Sequence, residues 1–452
     1  MKILLSIPVA SVIFAAALSA QDTALVEYYL RADSGYAPIT STDGLKYWSL
    51  TKDEFTQPDS LPGRNAAVII DRVNTNGTSS PMPYARGDIH GAVTYYSINA
   101  TVNTELNMTS PLSLISDFSV YSGSDYAYDS KDGNIKQLRF AVQAEDFLSV
   151  GGDMVLSTDK YFTTRFTLFK NASLRVGGQL RFEYNGAGGG YHAFDMSDMV
   201  ATSVGTLFTL NAGGMASSGS AVYMTSAHSI ASNFVFSDGD SGGFKGGSFE
   251  GVFATDSGVS STATFTMNGS GMQSIKIYSA ANAAGHGISG IGDKKDMAIG
   301  SVSVNSGELI FDSELAINTV TLDGGSLKLT ASGGVKDFII NAGSLAYGGT
   351  VRADSFTVAA VDEVRVVFSA EDLAAQELVL VEYGYLGESF DPNSVFAAYD
   401  EGGKRLGGEF SLTGGIGESG SLIYTVPEPA ALAAAIGAFA LAAVFARRGN
   451  RK

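Results

Sequence analysis

The stretch Val302-Ser303-Val304-Asn305-Ser306-Gly307-Glu308-Leu309 returns 18 residues later as Val320-Thr321-Leu322-Asp323-Gly324-Gly325-Ser326-Leu327. It returns again as Phe338-Ile339-Ile340-Asn341-Ala342-Gly343-Ser344-Leu345, and its first three positions recur as Phe356-Thr357-Val358. Each copy places two apolar residues at alternate positions, then Asn or Asp near glycine, and then a leucine. A repeat of fixed period is the sequence signature of a solenoid. We therefore expect residues 300–360 to form stacked coils of 18 residues each.

Each part of the repeat has a place in such a coil. Apolar residues at alternate positions of a strand point to one face, and the residue between them points to the other. Asn, Asp and Gly turn the chain because they tolerate left-handed backbone angles. Coils stacked at about 4.8 Å would align the apolar residues, the leucines and the Asn or Asp residues into ladders. The repeat thus predicts a parallel β-helix in an all-β chain.

Related phrases occur earlier in the chain, at Phe166-Thr167-Leu168, Phe208-Thr209-Leu210 and Phe265-Thr266-Met267. They extend the predicted β-solenoid to residues 92–360, with insertions that blur the period before 300. Three glycine-rich stretches, 186–198, 237–244 and 280–295, are interpreted as loops that leave the stack. Loops on a rigid scaffold are where binding residues most often lie.

The composition agrees with this fold class and excludes several functions. The 452-residue chain has 54 glycines and only 17% charged residues, which favours short strands joined by turns. It has no cysteine, so thiolate metal sites and cysteine redox chemistry are excluded. A net charge of −17 argues against nucleic acid and anionic membrane surfaces as partners.

Flanking regions are expected to close the two ends of the solenoid. Residues 21–91 are predicted to form an N-terminal cap with the first coils, in which the only tryptophan, Trp48, covers the end of the hydrophobic column. Residues 361–425 lose the period and are predicted to form a C-terminal β-cap. This cap would include a helical turn within 369–376 and a last strand over 421–425.

The two termini carry signals for export. Residues Met1–Ala20 combine Lys2, an apolar stretch and a small-residue end, which predicts a signal peptide cleaved after Ser19 or Ala20. At the other end, an apolar run at 430–446 predicts a single transmembrane helix at the short end of the required length. Four cationic residues follow it and would stay in the cytoplasm; they are Arg447, Arg448, Arg451 and Lys452.

Immediately before this apolar run stands the motif Val426-Pro427-Glu428-Pro429. The two prolines keep the segment extended and therefore readable by a protease. The order of motif, apolar run and basic end resembles the PEP-CTERM domain, a sorting tail of exported proteins in Gram-negative bacteria. The resemblance covers residues 426–452 together with the signal peptide, and it implies nothing about the body of the chain.

The resemblance implies partners and a location. An exosortase-type enzyme would cleave near 426–429 after the export machinery has delivered the chain, which would pass through an inner-membrane intermediate. The product would reach the cell envelope, the outer surface or an extracellular matrix that contains exopolysaccharide. The alternative is an ordinary C-terminal transmembrane helix that remains in the membrane.

Few residues in the body have the spacing of a catalytic or metal site. The best carboxylate candidates are the pairs Asp195 with Asp198 and Asp238 with Asp240, which could hold Ca²⁺ in a glycine loop. The remaining ligands of an EF-hand-like loop do not follow them. The four histidines are far apart in sequence and form no metal-binding motif. No cofactor and no resident metal are therefore expected.

Two functions remain open from the sequence. The first is a non-enzymatic structural or adhesive solenoid of the cell surface or the extracellular matrix. The alternative is a β-helical polysaccharide lyase or hydrolase with its site around 186–245. Three or more carboxylates or cationic side chains converging in a groove there would favour the enzyme. The tripeptide Arg86-Gly87-Asp88 offers a further adhesion motif, but a three-residue match carries little information.

Overall fold

The computed structural model describes residues 229–427 apart from 240–242, 287–291 and 361. Before residue 229 it describes the strands and the short stretches 45, 50–51, 54–60, 151–153, 177–179, 213–214. The predicted signal peptide, the predicted transmembrane segment 430–446 and the basic end lie outside the described residues. Among the residues that are described, no helix is long and apolar enough to cross a membrane.

Nearly all of the regular structure is β. The strands of the N-terminal half are β1 (Val26–Leu30), β2 (Trp48–Ser49), β3 (Ala66–Arg72), β4 (Ala85–Arg86), β5 (Ala92–Val93), β6 (Tyr95–Ala100), β7 (Thr104–Met108), β8 (Leu112–Leu114), β9 (Phe118–Ser122), β10 (Lys136–Val142), β11 (Phe147–Val150), β12 (Met154–Thr158), β13 (Phe162–Leu168), β14 (Ser173–Val176), β15 (Leu180–Tyr184), β16 (Tyr191–Asp195), β17 (Thr206–Ala212) and β18 (Met215–Ser218).

The strands of the C-terminal half are β19 (Val222–Ser226), β20 (Ile230–Phe236), β21 (Gly247–Thr255), β22 (Thr262–Met267), β23 (Met272–Tyr278), β24 (Lys295–Asp296), β25 (Ala298–Val304), β26 (Glu308–Ser313), β27 (Ile317–Leu322), β28 (Ser326–Ala331), β29 (Val335–Ile340), β30 (Ser344–Ala346), β31 (Val351–Val358), β32 (Val364–Phe368), β33 (Glu377–Leu386), β34 (Phe396–Asp400), β35 (Glu409–Thr413) and β36 (Gly420–Thr425). Among the described residues, the helical segments of three residues or more are the 3₁₀ segments Ala280–His286 and Asp372–Ala374 and the α-helix Pro392–Val395, and Leu45 is a further 3₁₀ residue.

In the described part of the chain these strands form three sheets. Sheet A has the order β18-β15-β12-β9-β6-β3-β1-β2, sheet B runs from β34 to β4, and sheet C runs from β35 to β5. The pairing is parallel except for β1 with β2, β21 with β24, β33 with β36, and β35 with β36. The expectation of a mainly β chain is thus confirmed, and the long parallel sheets are consistent with a β-helix or solenoid.

The 18-residue period appears directly in the strand register. Val302 pairs with Val320, Val320 with Phe338, and Phe338 with Phe356 along sheet C. In sheet B, Leu309 pairs with Leu327 and Leu327 with Leu345. The side chains of these residues are buried, so the inward ladders predicted from the repeat are confirmed. The Asn and Asp ladder is confirmed as well, because Asn341 Nδ2 donates to Asp323 Oδ1.

The apolar-Thr-apolar triplets before residue 260 do not lie at the positions that the repeat predicted for them. Leu210 pairs with Phe234, and Phe234 pairs with Phe265, so Leu210 rather than Phe208 stands in the inward row of Phe265. Phe166 lies in β13 of sheet B, whereas the repeat lies in sheet C. The local phrase therefore misassigned these two positions, since an apolar-Thr-apolar triplet fits any strand of a coil.

The coil changes shape along the chain. From β10 to β18 successive strands enter sheets B, C and A in turn, whereas from β25 to β34 they alternate between sheets C and B. The sequence did not predict this change. Its physical reason is length, because two strands of six residues each leave an 18-residue coil with room only for two tight turns.

The exposed end of sheet A is closed by residues distant in sequence. The backbone nitrogens of Lys245 and Gly246 both donate to Gly213 O at 2.9 Å. The fully buried side chain of Gln273 then replaces a neighbouring strand: its Oε1 accepts from Met215 N at 2.9 Å, and its Nε2 donates to Met215 O at 2.8 Å. The stretch 237–244, interpreted as a loop, thus leads directly into the segment that closes this sheet.

A continuous apolar core fills the inside of the stack. Phe234 and Phe265 stack with ring centroids 5.1 Å apart, and Phe311 from sheet B meets Phe265 edge-on at 5.1 Å. Phe338 and Phe356 continue the column with a separation of 5.7 Å. Each coil alone would leave these rings in water, so burial by the neighbouring coils stabilises the whole stack.

The described ends of the stack have different closures. Trp48 is fully buried and meets Tyr28 edge-on at 6.4 Å, as expected of a residue that covers the column. At the other end, parallel pairing continues past residue 360 to β34, within the region predicted as a cap. The strand β36 then pairs antiparallel with β33, and β35 pairs antiparallel with β36 and finishes sheet C. The helical turn predicted within 369–376 is the 3₁₀ segment Asp372–Ala374.

Candidate functional site

One surface of the solenoid repeats the same chemistry from coil to coil. It consists of two outward rows on sheet C, which alternate along each strand with buried core residues. One row is Thr264, Ser301, Thr319, Asp337 and Ser355, and the other is Thr266, Ser303, Thr321, Ile339 and Thr357. Eight of these ten positions carry a hydroxyl. We call this surface the hydroxyl face.

The residues of the hydroxyl face are only half-exposed, and equivalent positions lie side by side in neighbouring strands. Thr264 Oγ1 donates to Asn233 Oδ1 at 2.7 Å, at the N-terminal margin of the face. In the rest of the face no other side-chain hydroxyl bonds to any described residue; these are Thr266, Ser301, Ser303, Thr319, Thr321, Ser355 and Thr357. Their donors and acceptors are therefore available to solvent or to a ligand.

The outward surface of sheet B over the same coils is different. Glu250 pairs with Lys276 and Lys276 with Asp312, so charges of alternating sign face one another across three strands. Lys276 Nζ lies 3.9 Å from Asp312 Oδ2. Lys328 adds a further exposed charge on β28. The two faces share one scaffold, so the hydroxyl face is not a general property of every outward row.

The second chemical cluster lies where the segment 279–296 leaves the stack. The ring of His286 stacks on Tyr278 at 3.5 Å between centroids, and His286 Nε2 lies 3.8 Å from Glu314 Oε1. Glu314 Oε2 accepts from Ser279 N at 2.9 Å and from Asn282 Nδ2 at 2.8 Å. The stretch 280–295, interpreted as a loop, thus contains a 3₁₀ helix fastened to the solenoid by a carboxylate.

The electrostatics of this cluster follow from its contacts. Hydrogen bonds from Ser279 and Asn282 hold the pKa of Glu314 below its ordinary value. Burial and the hydrogen bond that Tyr278 Oη donates to Glu250 at 2.7 Å raise the pKa of Tyr278 above its ordinary value. Tyr278 therefore stays a neutral donor and Glu314 a charged acceptor. These contacts hold the 3₁₀ helix Ala280–His286 against the neighbouring strands.

Another ion pair fastens the segment that closes sheet A. Lys245 Nζ lies 2.7 Å from Asp153 Oδ1, which also accepts from Gln179 N at 2.9 Å. Burial would raise the pKa of Asp153, but these hydrogen bonds outweigh burial and hold that pKa below its ordinary value. The pair has its partners within the fold, so it is interpreted as structural.

The sequence-predicted carboxylate pairs are only partly described. Asp238 lies directly after β20, and its Oδ1 accepts from Ser270 N at 2.8 Å and from Ser270 Oγ at 2.9 Å. Asp195 ends β16, with its side chain outside the described part, and Asp198 and Asp240 are not described at all. Among the described residues, no group of three His, Asp or Glu side chains could hold a metal ion. The four aspartates stay weak candidates for ligand or metal binding, and the expectation of no resident metal stays a prediction.

The predicted sorting motif begins at the end of the last strand. Val426 N donates to Gln376 O at 2.9 Å, directly after β36, and Pro427 is exposed. Glu428 and Pro429 lie outside the described residues, as do Arg447, Arg448, Arg451 and Lys452. The folded body therefore reaches to the first residue of the motif.

Comparison of the chain with protein families, with curated proteins and with solved structures finds no match.

Sequence reasoning found half of the hydroxyl face. The repeat identified the residue between the two apolar positions as outward, which is the row of Thr321. It did not include the second row, to which Thr319 belongs, although that row lies two residues earlier on the same face. The signal was present, because Ser or Thr recurs there at 301, 319 and 355.

Proposed function

We propose that this protein is an exported structural or adhesive solenoid of the cell surface or extracellular matrix, sorted by an exosortase-type enzyme. The PEP-CTERM-like tail from Val426 carries the proposal. In it, the segment 430–446 forms a single membrane-spanning helix that holds the exported chain until cleavage. The signal peptide at Met1–Ala20 directs the body across the membrane first.

The geometry at the end of β36 supports the processing step. Val426 N is the last described backbone group bonded to the body, and the exposed Pro427 follows it. An extended, solvent-accessible segment suits a protease that must bind several consecutive residues. Cleavage after this point would leave the closing strands β35 and β36 intact, so the released body keeps its fold.

The body supports a structural or adhesive role. Its coils repeat one rigid unit of 18 residues, and the hydroxyl face repeats with them from strand to strand. A stack of this kind holds one surface at a fixed distance from its point of attachment. A matrix or surface protein needs its binding or contact surface to be held at such a fixed distance.

Mass spectrometry of the protein from its own host tests the proposal. We expect the mature chain to end between 426 and 429. The variant Pro427→Ala/Pro429→Ala should accumulate with its tail, whereas Glu418→Gln in the preceding turn should be processed normally. A mature wild-type chain that still ends at Lys452 would contradict the exosortase step and leave the ordinary membrane anchor as the explanation.

A further inference from the structure

We propose that the hydroxyl face binds a neutral, extended polysaccharide that runs along the stack of coils. The inference deepens the proposed matrix role and rests on it for its biological setting, but the binding itself requires no sorting step. The ligand is defined by its chemistry: a polymer of uncharged sugars with hydroxyls at regular intervals. Four observations on the described coils carry it.

The first observation is charge. Among the ten positions of the hydroxyl face, Asp337 is the only charged residue. The chain as a whole has a net charge of −17, which repels acidic polymers. No row of cations on this face offsets that repulsion for a uronate or sulfated chain. The surface therefore favours a neutral ligand.

The second observation is hydrogen-bonding capacity. The hydroxyls of Ser301, Ser303, Thr319 and Thr321 bond no other described residue, and each of these half-exposed residues lies on a strand paired on both sides. A hydroxyl both donates and accepts, so it can match a sugar hydroxyl in either direction. Because the strands already fix these groups, binding orders few side chains, which reduces the entropy lost on association.

The third observation is spacing. The register repeats every 18 residues, so equivalent hydroxyls lie in adjacent strands, about 4.8 Å apart. The two rows are two residues apart along each strand, roughly 6.6 Å. The interval between coils is close to the length of one sugar unit in an extended chain. A polymer can therefore contact successive coils with successive sugars, and many weak contacts on one rigid surface add together.

The fourth observation is the contrast with sheet B. Over the same coils its outward rows carry Glu250, Lys276, Asp312 and Lys328. A charged surface and a surface of hydroxyls would both keep the protein soluble. Exposed Lys336, Arg352 and Asp354 lie beside the hydroxyl face on β29 and β31, but the face itself has only the one charge of Asp337. The contrast therefore holds for these ten positions, where hydroxyls prevail and a neutral ligand is favoured.

Retention of the purified full-length protein on cellulose, a neutral extended polysaccharide, tests the inference. The variant Ser301→Ala/Ser303→Ala/Thr319→Val/Thr321→Val removes four hydroxyls but keeps the shape and β-propensity of the strands. Its dissociation constant should be at least tenfold higher. The matched control Ser274→Ala/Thr330→Val, which removes hydroxyls from sheet B, should bind as the wild type does. Circular dichroism checks that all three proteins are folded.

Alginate, an acidic polysaccharide, serves as the second probe and should retain the protein at least tenfold less than cellulose does. Equal retention of wild type and quadruple variant would overturn the proposal, as would a preference for alginate or no binding to cellulose. Retention in growing ice without retention on cellulose would also overturn it and assign the face to an ice surface. None of these results depends on whether the tail is processed in the host.

Discussion

Gly325 shows how one residue fixes the path of a coil. It has φ +63°, and a Cβ placed there would lie 2.4 Å from Gly307 O in the preceding coil. Gly307 stands at the same place one coil earlier, with φ +66°. In each turn the residue with the left-handed backbone is thus the glycine two positions after the Asn or Asp. Asn341 and Asp323 instead form the side-chain ladder. The turn needs glycine both for its backbone angle and for the close approach of the next coil.

We expect Gly325→Ala to lower the free energy of unfolding more than Gly349→Ala does. Both replacements put alanine at positive φ, which costs about 1–2 kcal/mol. A Cβ at Gly349 has nothing within 4 Å, whereas at Gly325 it meets backbone. Displacing packed groups adds about 1–3 kcal/mol. Urea denaturation followed by circular dichroism measures the difference, and equal urea midpoints for the two variants would contradict the role of coil contact.

The described parts of the segment 279–296, residues 279–286 and 292–296, show how chain that leaves the stack is bonded to it. Asp296 accepts from Ser279 Oγ at 3.1 Å and from Ala280 N at 2.6 Å, and β24 pairs antiparallel with β21. Glu314 holds the other side of the segment through Ser279 and Asn282. Two carboxylates therefore bond the start of the 3₁₀ helix, where unpaired backbone N–H groups need acceptors.

The stability that the charge of Glu314 contributes should depend on pH. Its pKa in the folded protein is below the ordinary 4.5, so the contribution is present above about 4.5 and is lost as the pH falls through the folded value. We expect Glu314→Gln to have a lower thermal midpoint than wild type at pH 7. The two midpoints should converge in acid. Differential scanning calorimetry between pH 7 and pH 3 measures this.

Glu308→Gln provides the matched control for this experiment. Glu308 lies on the neighbouring strand β26, and its side chain makes no hydrogen bond to the described residues. The Glu308→Gln replacement removes one negative charge but no hydrogen bond, so its thermal midpoint should stay close to that of wild type at pH 7. A Glu314→Gln midpoint equal to that of the control at pH 7 would show that the hydrogen bonds to Glu314 add nothing as charged interactions.

The described strands are stacked in one direction, and each pairs mainly with the equivalent strands before and after it. Stability in such proteins is the sum of local coil and interface contributions, so the ends unfold more easily than the middle. Trp48 lies at one end of sheet A and has a neighbouring strand on one side only, because β2 is the last strand of that sheet. The fold thus places the only tryptophan at the N-terminal end.

We expect the fluorescence of Trp48 to change at a lower urea concentration than the far-ultraviolet circular dichroism. The fluorescence reports the end of the stack, whereas the circular dichroism reports all strands. Trp48→Phe is the control, since it should remove the early fluorescence change and leave the circular dichroism transition. Coincident transitions of the two signals in the wild type would mean that the stack unfolds as a single cooperative unit.

The sequence by itself determined the features that depend on neighbouring residues. The 18-residue spacing fixed the register of Val302, Val320 and Phe338, because a one-residue slip would turn every buried side chain outward. It also predicted the turn ladder of Asn341 and one row of the hydroxyl face. Where the 18-residue period is strict, the place of a residue in the repeat predicts its place in the coil.

Only the tertiary structure decided how the coils close. Gln273 bonds Met215 across 58 residues of sequence, and no local pattern indicates that its buried amide ends sheet A. The change from three strands to two in each coil, which follows from the shorter coil, became visible only when the strands were assigned to sheets. The pairing of the strands showed that the recurring Ser and Thr residues of the second row, with Thr319, lie on the same face as the row of Thr321. Contacts between residues far apart in sequence decide where a sheet ends and which rows share a surface, and the local pattern of a strand does not specify such contacts.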